Sequence, residues 1–224
     1  TPIASSAASD VYKRQAWYNK FKNMNSNILI GIPIKSLDNP MSRLSESISL
    51  LDRRKIQLNL IKNTVNSFKN ENIEIYLISN DLEIVKLANQ IEVSTFNSKS
   101  NGLNGEVKEF IQLANKFSSW AICHADLPYL NKYNISVFLQ EIENNQIVIS
   151  KSSDNGTPLI GGNVFFENFK YGVNSFKKHI LEFEKLNLNY KQVFNKELYF
   201  ELDTHKDFKE FLLNKPRWFK KLKD

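Results

Sequence analysis

The chain has 224 residues, a length that suits one domain of ordinary size better than two. It is 42% hydrophobic and 24% charged, with only 7 Gly and 6 Pro, so disordered, fibrous and collagen-like proteins are excluded. No stretch approaches the roughly 20 apolar residues that a membrane span needs, so no membrane association is predicted. The single cysteine, Cys123, excludes an internal disulfide and predicts a reducing, cytoplasmic location.

The net charge of +6 lies in the two ends of the chain. Residues 1–24 carry a net charge of +3 and residues 215–224 one of +4, which leaves −1 for residues 25–214. The body is almost neutral, so no nucleic-acid partner is predicted. We predict a folded domain over 25–214, followed by a basic C-terminal tail. Residues 1–24 are interpreted as a disordered or artefactual extension, because SSAASDVYKRQ resembles an adapter-derived sequence and lacks periodicity.

Strands and helices alternate along the first two thirds of the domain. Apolar runs predict strands at 28–34, 73–79, 93–96, 120–124 and 147–150. Between them, helical spacing of apolar residues predicts helices at about 48–68, 81–90, 106–117 and 135–143. This order predicts an α/β fold in which helices cover both faces of a mostly parallel sheet, forming a three-layer sandwich.

The pattern changes after Gly156. We predict a strand at 163–166, a helix at 175–186, a strand at 198–202 and a closing helix at 205–213. Thr204 followed by Asp207 predicts a capping box at the start of the last helix.

Charged side chains follow the first two predicted strands. Lys35 and Arg43 lie beyond the first strand, and Ser79 and Asp81 end the second. The carboxyl ends of parallel strands share one edge, where ligands bind in open α/β sheets. Lys35 and Arg43 together suit an anion with several charges, such as a triphosphate. The alternative is that both are solvated loop cations.

The predicted strand at 120–124 ends at His124-Ala125-Asp126. A carboxylate at this point either caps the next segment or holds a cation, and Mg²⁺ is the natural cation beside substrate phosphates. Asp203, after the last predicted strand, is a second carboxylate that can reach such a metal. For His124, a hydrogen-bonded structural role is favoured over that of a catalytic base.

Two further segments combine glycine with a helix start. Gly102 precedes one helix, and Gly172 precedes another that begins near Ser175. Free N–H groups at a helix start can bind a carboxylate or a phosphate. A plain turn at Gly102 and an N-cap role for Ser175 are the alternatives.

Taken in order, these motifs resemble the 2-phospho-L-lactate guanylyltransferase family, whose members also include enzymes that use phosphoenolpyruvate or 3-phosphoglycerate. The similarity spans about residues 28–213. The segments that match family motifs are Ile32-Pro33-Ile34-Lys35, Ser42-Arg43-Leu44-Ser45, Gly102-Leu103-Asn104, Ala125-Asp126-Leu127-Pro128, Gly156-Thr157, Tyr171-Gly172 with Ser175-Phe176 and His179, and Leu202-Asp203-Thr204, the last matching the D-x-D-T motif. The resemblance implies a Rossmann-like nucleotidyltransferase domain of the GT-A type.

The resemblance also implies a reaction and its residues. The phosphate of a three-carbon acid (2-phospholactate, phosphoenolpyruvate or phosphoglycerate) would attack the α-phosphorus of GTP and release pyrophosphate, in the biosynthesis of coenzyme F-420. Mg²⁺ would be the cofactor, held by Asp126 and Asp203, and Lys35 and Arg43 would act with Asp126 in catalysis. The nucleotide-binding residues would be Pro33, Lys35, Arg43, Ser79, Asp81, Gly102, Leu103 and Asn104, and the acceptor-binding residues Thr157, Gly172, Ser175 and His179.

Three positions depart from the family pattern. Met41 stands where a Lys is usual, Pro158 where an Asn is usual, and His205 where a Pro is usual. The alternatives left open are a related nucleotidyltransferase with another acceptor or nucleotide, a nucleotide-sugar glycosyltransferase, and a degenerate homologue that binds nucleotide without turnover. A glycosyltransferase is disfavoured, because it would carry Asp-x-Asp where this chain has a single acid, Asp126. The sequence leaves a homodimer open.

Overall fold

The computed structural model of the chain describes residues 27–219, so the predicted extension at 1–24 and the last part of the predicted tail lie outside the described residues. Its strands are β1 Ile28–Pro33, β2 Ile73–Ile78, β3 Ser94–Phe96, β4 Ser119–Cys123, β5 Ile147–Ser150, β6 Leu159–Gly162 and β7 Tyr190–Val193. Its α-helices are α1 Leu50–Phe68, α2 Leu82–Gln90, α3 Leu103–Phe110, α4 Lys132–Asn144, α5 Ser175–Lys185, α6 Lys196–Tyr199 and α7 His205–Leu213. Short 3-10 helices span Ser42–Leu44 and Ile111–Lys116.

The strands form one sheet in the order β3-β2-β1-β4-β6-β5-β7. Within residues 27–219, β6 runs antiparallel to both of its neighbours, and the other strand pairs are parallel. Successive side chains of a strand point to opposite faces, and β1 is buried on both. Ile30 packs in one apolar layer with α1, α2 and α4, and Leu29 packs in the other with α3 and α5. The predicted three-layer α/β fold with a mostly parallel sheet is confirmed.

A third apolar cluster joins the segment before α1 to the C-terminal helix. Leu44 and Ile48 pack there against Leu202, Phe211 and Phe219. Beyond α7, the Trp218 indole N–H donates to the Pro128 carbonyl at 2.9 Å. The packed region therefore continues past residue 214, where the sequence pattern places the end of the domain.

Two predicted strands are wrong. The strand expected at 163–166 lies earlier, as β6, and it includes Gly161 and Gly162. Glycine is needed there because a Cβ on Gly162 would lie 2.0 Å from the backbone oxygen of Gln146. The neighbouring strands approach so closely that both positions are glycine. In the sequence, a pair of glycines resembles a turn, so the strand was not predicted there.

The region expected to be a strand at 198–202 instead contains the short helix α6. Its N-cap, Asn195, accepts a hydrogen bond from the Glu197 N–H at 2.8 Å. The sheet strand of this region is β7, which the sequence pattern missed. Lys191 and Gln192 in β7 are exposed at the edge of the sheet, so the strand lacks an apolar run.

Among the described helices, none combines the length and apolar character that crossing a bilayer requires.

Candidate functional site

The predicted site residues gather at one edge of the sheet. β1, β2, β4 and β5 run in the same direction, so their carboxyl ends share this edge. β6 runs the opposite way, which brings the residues before it, 156–158, to the same edge. A hollow of about 580 Å³ lies elsewhere, beside the start of β2, and its lining includes none of the predicted site residues.

Three side chains that can bind a metal meet at this edge. His124 and Asp126 follow β4, and Glu201 lies between α6 and α7. One potential ligand atom from each of the three residues lies within 4.8 Å of the other two. The two segments are joined by a backbone hydrogen bond, in which the Leu202 N–H donates to the Asp126 carbonyl at 2.9 Å.

The cluster is partly buried and contains more carboxylates than basic groups. Burial and the nearby Glu201 carboxylate raise the pKa of Asp126 to about 7, although His124 opposes the shift. Burial lowers the pKa of His124, but the Glu201 and Asp126 carboxylates outweigh it, and the pKa is raised overall. The same carboxylates add to burial in raising the pKa of Cys123.

Two atoms of the cluster lack a hydrogen bond. Asp126 Oδ1 and His124 Nε2 are buried without a partner in the described part of the chain. Asp126 does not cap α4, because the Asn131 side chain does so. Of the two roles that the sequence allowed Asp126, capping therefore fails, and a cation at Oδ1 would satisfy both the orphaned atom and the excess negative charge. The hydrogen-bonded structural role favoured for His124 also fails at Nε2.

Asp203, the second predicted metal ligand, pairs with Arg43. The guanidinium donates to its carboxylate across the gap between the Ser42–Leu44 helix and the segment before α7. The Arg43 side chain is 68% exposed and that of Asp203 40% exposed, so the pair contributes little stability and can open. A predicted triphosphate contact and a predicted metal ligand are thus neighbours.

The loop that carries Arg43 is anchored by a buried arginine of α1. Arg53 is 5% exposed and donates from Nη1 to Asn39 Oδ1 at 2.7 Å and to the Pro40 carbonyl at 2.6 Å. Met41 follows with a φ of 48°, in the left-handed region that non-glycine residues rarely adopt. Its side chain packs partly buried against the third apolar cluster. This position, where the resemblance led us to expect a Lys, therefore contributes packing.

Lys35 is exposed beyond β1 and close enough to His124 to oppose the rise of its pKa. Its loop is held by Asp81, whose Oδ2 accepts from the Leu37 N–H at 2.7 Å and whose Oδ1 caps α2 through the Glu83 N–H at 2.8 Å. Burial acts to raise the pKa of Asp81, but these backbone hydrogen bonds lower it overall. Ser79 is buried, and its Oγ accepts from the Asp81 N–H at 3.3 Å. Ser79 and Asp81 thus support the Lys35 loop.

Thr157, Ser175 and His179 form a buried hydrogen-bonded group. The Thr157 Oγ1 accepts from the Ser175 hydroxyl at 3.2 Å and lies 3.0 Å from His179 Nδ1. His179 Nε2 accepts from the Lys170 N–H at 2.9 Å. The structure brings three of the four predicted acceptor-binding residues together, but each is at most 2% exposed. Ser175 is the first residue of α5, and its expected N-cap role belongs to Asn174.

Tyr171 connects this group to the cluster of His124, Asp126 and Glu201. Its ring centroid lies 5.3 Å from that of His124 and 5.2 Å from that of His179. Asn104 binds its backbone on both sides, because the Tyr171 N–H donates to Oδ1 at 2.7 Å and Nδ2 donates to the Tyr171 carbonyl at 3.2 Å. The predicted nucleotide-binding segment 102–104 therefore adjoins the predicted acceptor segment 171–175.

The two glycines of these segments are exposed and have positive φ. Gly102 has a φ of 79° and precedes α3, and Gly172 has a φ of 116° and precedes α5. A Cβ at either position would meet no heavy atom within 4 Å, so the backbone is open to approach. Leu103, the first residue of α3, packs against the apolar layer on that side of the sheet. Pro33, at the end of β1, pairs with Ile78 of β2 in the sheet.

Sequence reasoning missed Glu201 and Tyr171. Glu201 stands at the first acidic position of the D-x-D-T motif, two residues before Asp203, and this position was the signal that could have identified it. Tyr171 lies in the motif segment Tyr171-Gly172, which was its signal, although no role was predicted for this residue itself. Pro158 fits its place because its carbonyl accepts from the His124 N–H at 2.9 Å, which extends the pairing of β4 with β6.

Comparison with known proteins agrees with the motifs. Residues 28–217 match the family described as Guanylyl transferase CofC like. The chain belongs to this CofC-like family. A 2-phospho-L-lactate guanylyltransferase of Methanocaldococcus jannaschii is 31% identical, over 71% of this chain and 70% of the relative. One of Methanocaldococcus infernus is 28% identical, over 82% of this chain and 83% of the relative. The family resemblance inferred from the motifs is confirmed.

A solved structure agrees at the level of the fold. A protein of Desulfovibrio desulfuricans G20, described as a nucleotide-diphospho-sugar transferase, superimposes with a TM-score of 0.73. The match covers 86% of this chain and 89% of that protein at 15% sequence identity. This similarity confirms the Rossmann-like nucleotidyltransferase architecture of the CofC-like chain, and at this identity it concerns the fold alone.

Proposed function

We propose that this CofC-like chain transfers GMP from GTP to the phosphate of a small phosphorylated carboxylic acid. A phosphate oxygen of the acid attacks the α-phosphorus of GTP. The bond from the α-phosphorus to the oxygen that bridges it to the β-phosphorus breaks, and pyrophosphate leaves with that oxygen. The acceptors proposed are 2-phospholactate, phosphoenolpyruvate and phosphoglycerate. The product is a GDP-linked acid, made in the cytosol for coenzyme F-420 biosynthesis.

The observation that carries this proposal is the orphaned Asp126 Oδ1 at the edge where Lys35 and Arg43 also lie. Both cations are exposed, so they can reach a triphosphate that enters from solvent. Phosphoryl transfer requires mainly positioning and neutralisation of charge, and this edge offers groups for both. The acceptor phosphate is itself the nucleophile, so the proposal needs no nucleophilic side chain.

We propose Mg²⁺ as the ion, held by Asp126 and Glu201 and reached by Asp203. Carboxylates and phosphate oxygens are the ligands that Mg²⁺ usually takes. Bound there, the ion would draw charge from the α-phosphate and the leaving pyrophosphate. Both members of the Arg43–Asp203 ion pair would then change partners. Arg43 would bind the triphosphate, and the Asp203 carboxylate would bind the ion. The exposure of the Arg43–Asp203 pair makes this exchange inexpensive.

The acceptor is proposed to bind at the backbone of 171–175. Gly172 is exposed, and the helix start that follows it suits a carboxylate or phosphate. The Thr157 and Ser175 hydroxyls already bond each other, so they would act by fixing this segment. Asn104 holds the neighbouring Tyr171 backbone and keeps the nucleotide and acceptor segments in register.

One observation favours a second function, that of a homologue that binds nucleotide with little turnover. Met41 packs against the third apolar cluster, where the family usually has a lysine. Loss of that cation would leave less positive charge for the triphosphate. Nucleotide binding without turnover would identify this alternative.

Pyrophosphate release tests the proposal. GTP and Mg²⁺ are incubated separately with 2-phospholactate, phosphoenolpyruvate, 2-phosphoglycerate and 3-phosphoglycerate, with ATP and CTP in parallel. We expect release with GTP and one of the acids, and a loss of at least about a hundredfold in Asp126→Asn. Asp52→Asn is the matched control, because Asp52 belongs to the start of α1, where it bonds Ser49. Equal rates in the two variants, or no release with any acid, would contradict the proposal.

A further inference from the structure

His124 has two ring nitrogens, of which Nδ1 faces the Glu201 carboxylate and Nε2 has no partner in the described part of the chain. Nδ1 lies 3.6 Å from Glu201 Oε1, which is longer than the roughly 2.7–3.2 Å of a hydrogen bond. Nε2 is buried without a partner. The His124 side chain is only 22% exposed, so bulk water gives it limited compensation. A buried ring nitrogen without a partner calls for one that residues 27–219 do not supply.

The spacing of the cluster fits an ion that several side chains share. Metal–ligand bonds of about 2.0–2.1 Å place neighbouring ligand atoms roughly 3.0–3.4 Å apart. The Nδ1 to Oε1 distance of 3.6 Å is close to that, and the ligand atoms of His124, Asp126 and Glu201 all lie within 4.8 Å of one another. The Glu201 side chain is 11% exposed, so it is already directed inward.

We propose that His124 is a ligand of the metal ion, and that this site prefers first-row transition metals such as Mn²⁺ and Co²⁺ to Mg²⁺. Imidazole nitrogen binds these ions more tightly than it binds Mg²⁺, and more so for Co²⁺ than for Mn²⁺, whereas Mg²⁺ takes mainly carboxylate, phosphate and water oxygens. Asp126 and Glu201 supply two oxygen ligands, so Mg²⁺ still binds, but it gains little from the imidazole. This inference deepens the proposed function, because it concerns the ion at the same site.

The first test detects the nitrogen ligand directly in the wild-type protein. The full chain is produced with ¹⁵N-labelled histidine and loaded with Mn²⁺ alone. Pulsed electron paramagnetic resonance then measures the coupling of nitrogen to the manganese spin. We expect a coupling that changes from the ¹⁴N to the ¹⁵N frequency on labelling. Absence of histidine nitrogen coupling at saturating Mn²⁺ would overturn the proposal, whatever the activity.

The second test measures selectivity. Competition between Mn²⁺ and Mg²⁺ gives the ratio of their affinities in the wild type and in His124→Phe, which keeps a ring against Tyr171. We expect the Mn²⁺ preference to fall by at least about tenfold, the size of effect seen when a partner in a metal site is lost. His205→Phe is the matched control, because His205 bonds Ser47 outside the cluster. An unchanged ratio in a folded His124→Phe variant would overturn the proposal, and if that variant does not fold, the nitrogen coupling decides.

Neither test uses guanylyl transfer, so the two proposals fail separately. A chain that shows nitrogen coupling but no pyrophosphate release would contradict the proposed function and support the ligand role of His124. A chain that releases pyrophosphate with Mg²⁺ but shows no nitrogen coupling would support the proposed function and contradict the ligand role of His124. Asp126→Asn is expected to weaken both Mn²⁺ and Mg²⁺, and a variant that binds both as wild type would place the ion elsewhere.

Discussion

His179 makes the stability of this fold depend on pH in a way that can be calculated. The imidazole is fully buried, accepts from the Lys170 N–H through Nε2, and faces the Thr157 hydroxyl through Nδ1. An imidazolium has no lone pair to accept the Lys170 N–H, so protonation would break that bond. Burial, together with the positive charges of His124 and Lys170, lowers the pKa of His179 from 6.5 to about 4.

The sign follows from which state binds the proton first. The unfolded chain takes up a proton at this residue near pH 6.5, whereas the folded chain resists until about pH 4. The contribution of His179 is therefore complete above pH 6.5 and is lost progressively as the pH falls toward 4. At about 1.36 kcal/mol per pH unit, the loss in unfolding free energy amounts to about 3 kcal/mol.

Urea unfolding at intervals between pH 7 and pH 4.5 measures this effect, with His179→Gln as the comparison. Carboxylates also change the stability in this range, but they do so in both proteins. We expect the unfolding free energy of the wild type to fall more steeply with decreasing pH. Near pH 5 the difference in slope should correspond to close to one extra proton bound on unfolding. Equal slopes would refute the reasoning. An NMR titration of the wild-type ring gives a second measurement, and a pKa of His179 near 6.5 would refute it as well.

Two other substitutions test the fold around the site. Gly162→Ala places a Cβ 2.0 Å from the Gln146 backbone oxygen, so urea unfolding should show a fall of about 1–3 kcal/mol in the free energy of unfolding. A fall below about 0.5 kcal/mol would contradict the close approach of the two strands. Arg53→Met removes the hydrogen bond to the Pro40 carbonyl and should cost about 2 kcal/mol and speed proteolysis within residues 36–48. Arg54→Met is the matched control, because its partly exposed ion pair should contribute under about 1 kcal/mol, and similar losses in both variants would argue against an anchoring role for Arg53.

The sequence predicted the sheet well where the strands are buried on both faces. The runs at β1 and β5 are uninterrupted and apolar, because helices cover both sides of the sheet. It failed at β7, where an edge position allows polar residues, and at β6, where two glycines allow neighbouring backbones to approach. In these strands the sequence reflects contacts with other segments more than local preference for a strand.

The structure brings the predicted site residues to one edge of the sheet, while their functions stay predictions. Parallel strands end at one edge, and this rule alone brought Lys35, Arg43 and Asp126 to the same side of the sheet. The rule does not say which side chains turn inward to support the backbone. Thr157 and Ser175 are buried and hydrogen-bonded to each other, and only their contacts in the folded chain show this.

The D-x-D-T motif could mark Glu201, but only the fold brings it to Asp126, because the two residues lie on distant segments of the chain. The segment of Glu201 is aligned by the bond from the Leu202 N–H to the Asp126 carbonyl, and Leu202 itself is buried against Phe211 and Phe219. The packing of the C-terminal helix therefore determines whether the second carboxylate reaches the first. We therefore expect substitutions in the third apolar cluster to displace Glu201 from Asp126 and to weaken metal binding at the proposed site without altering any ligand.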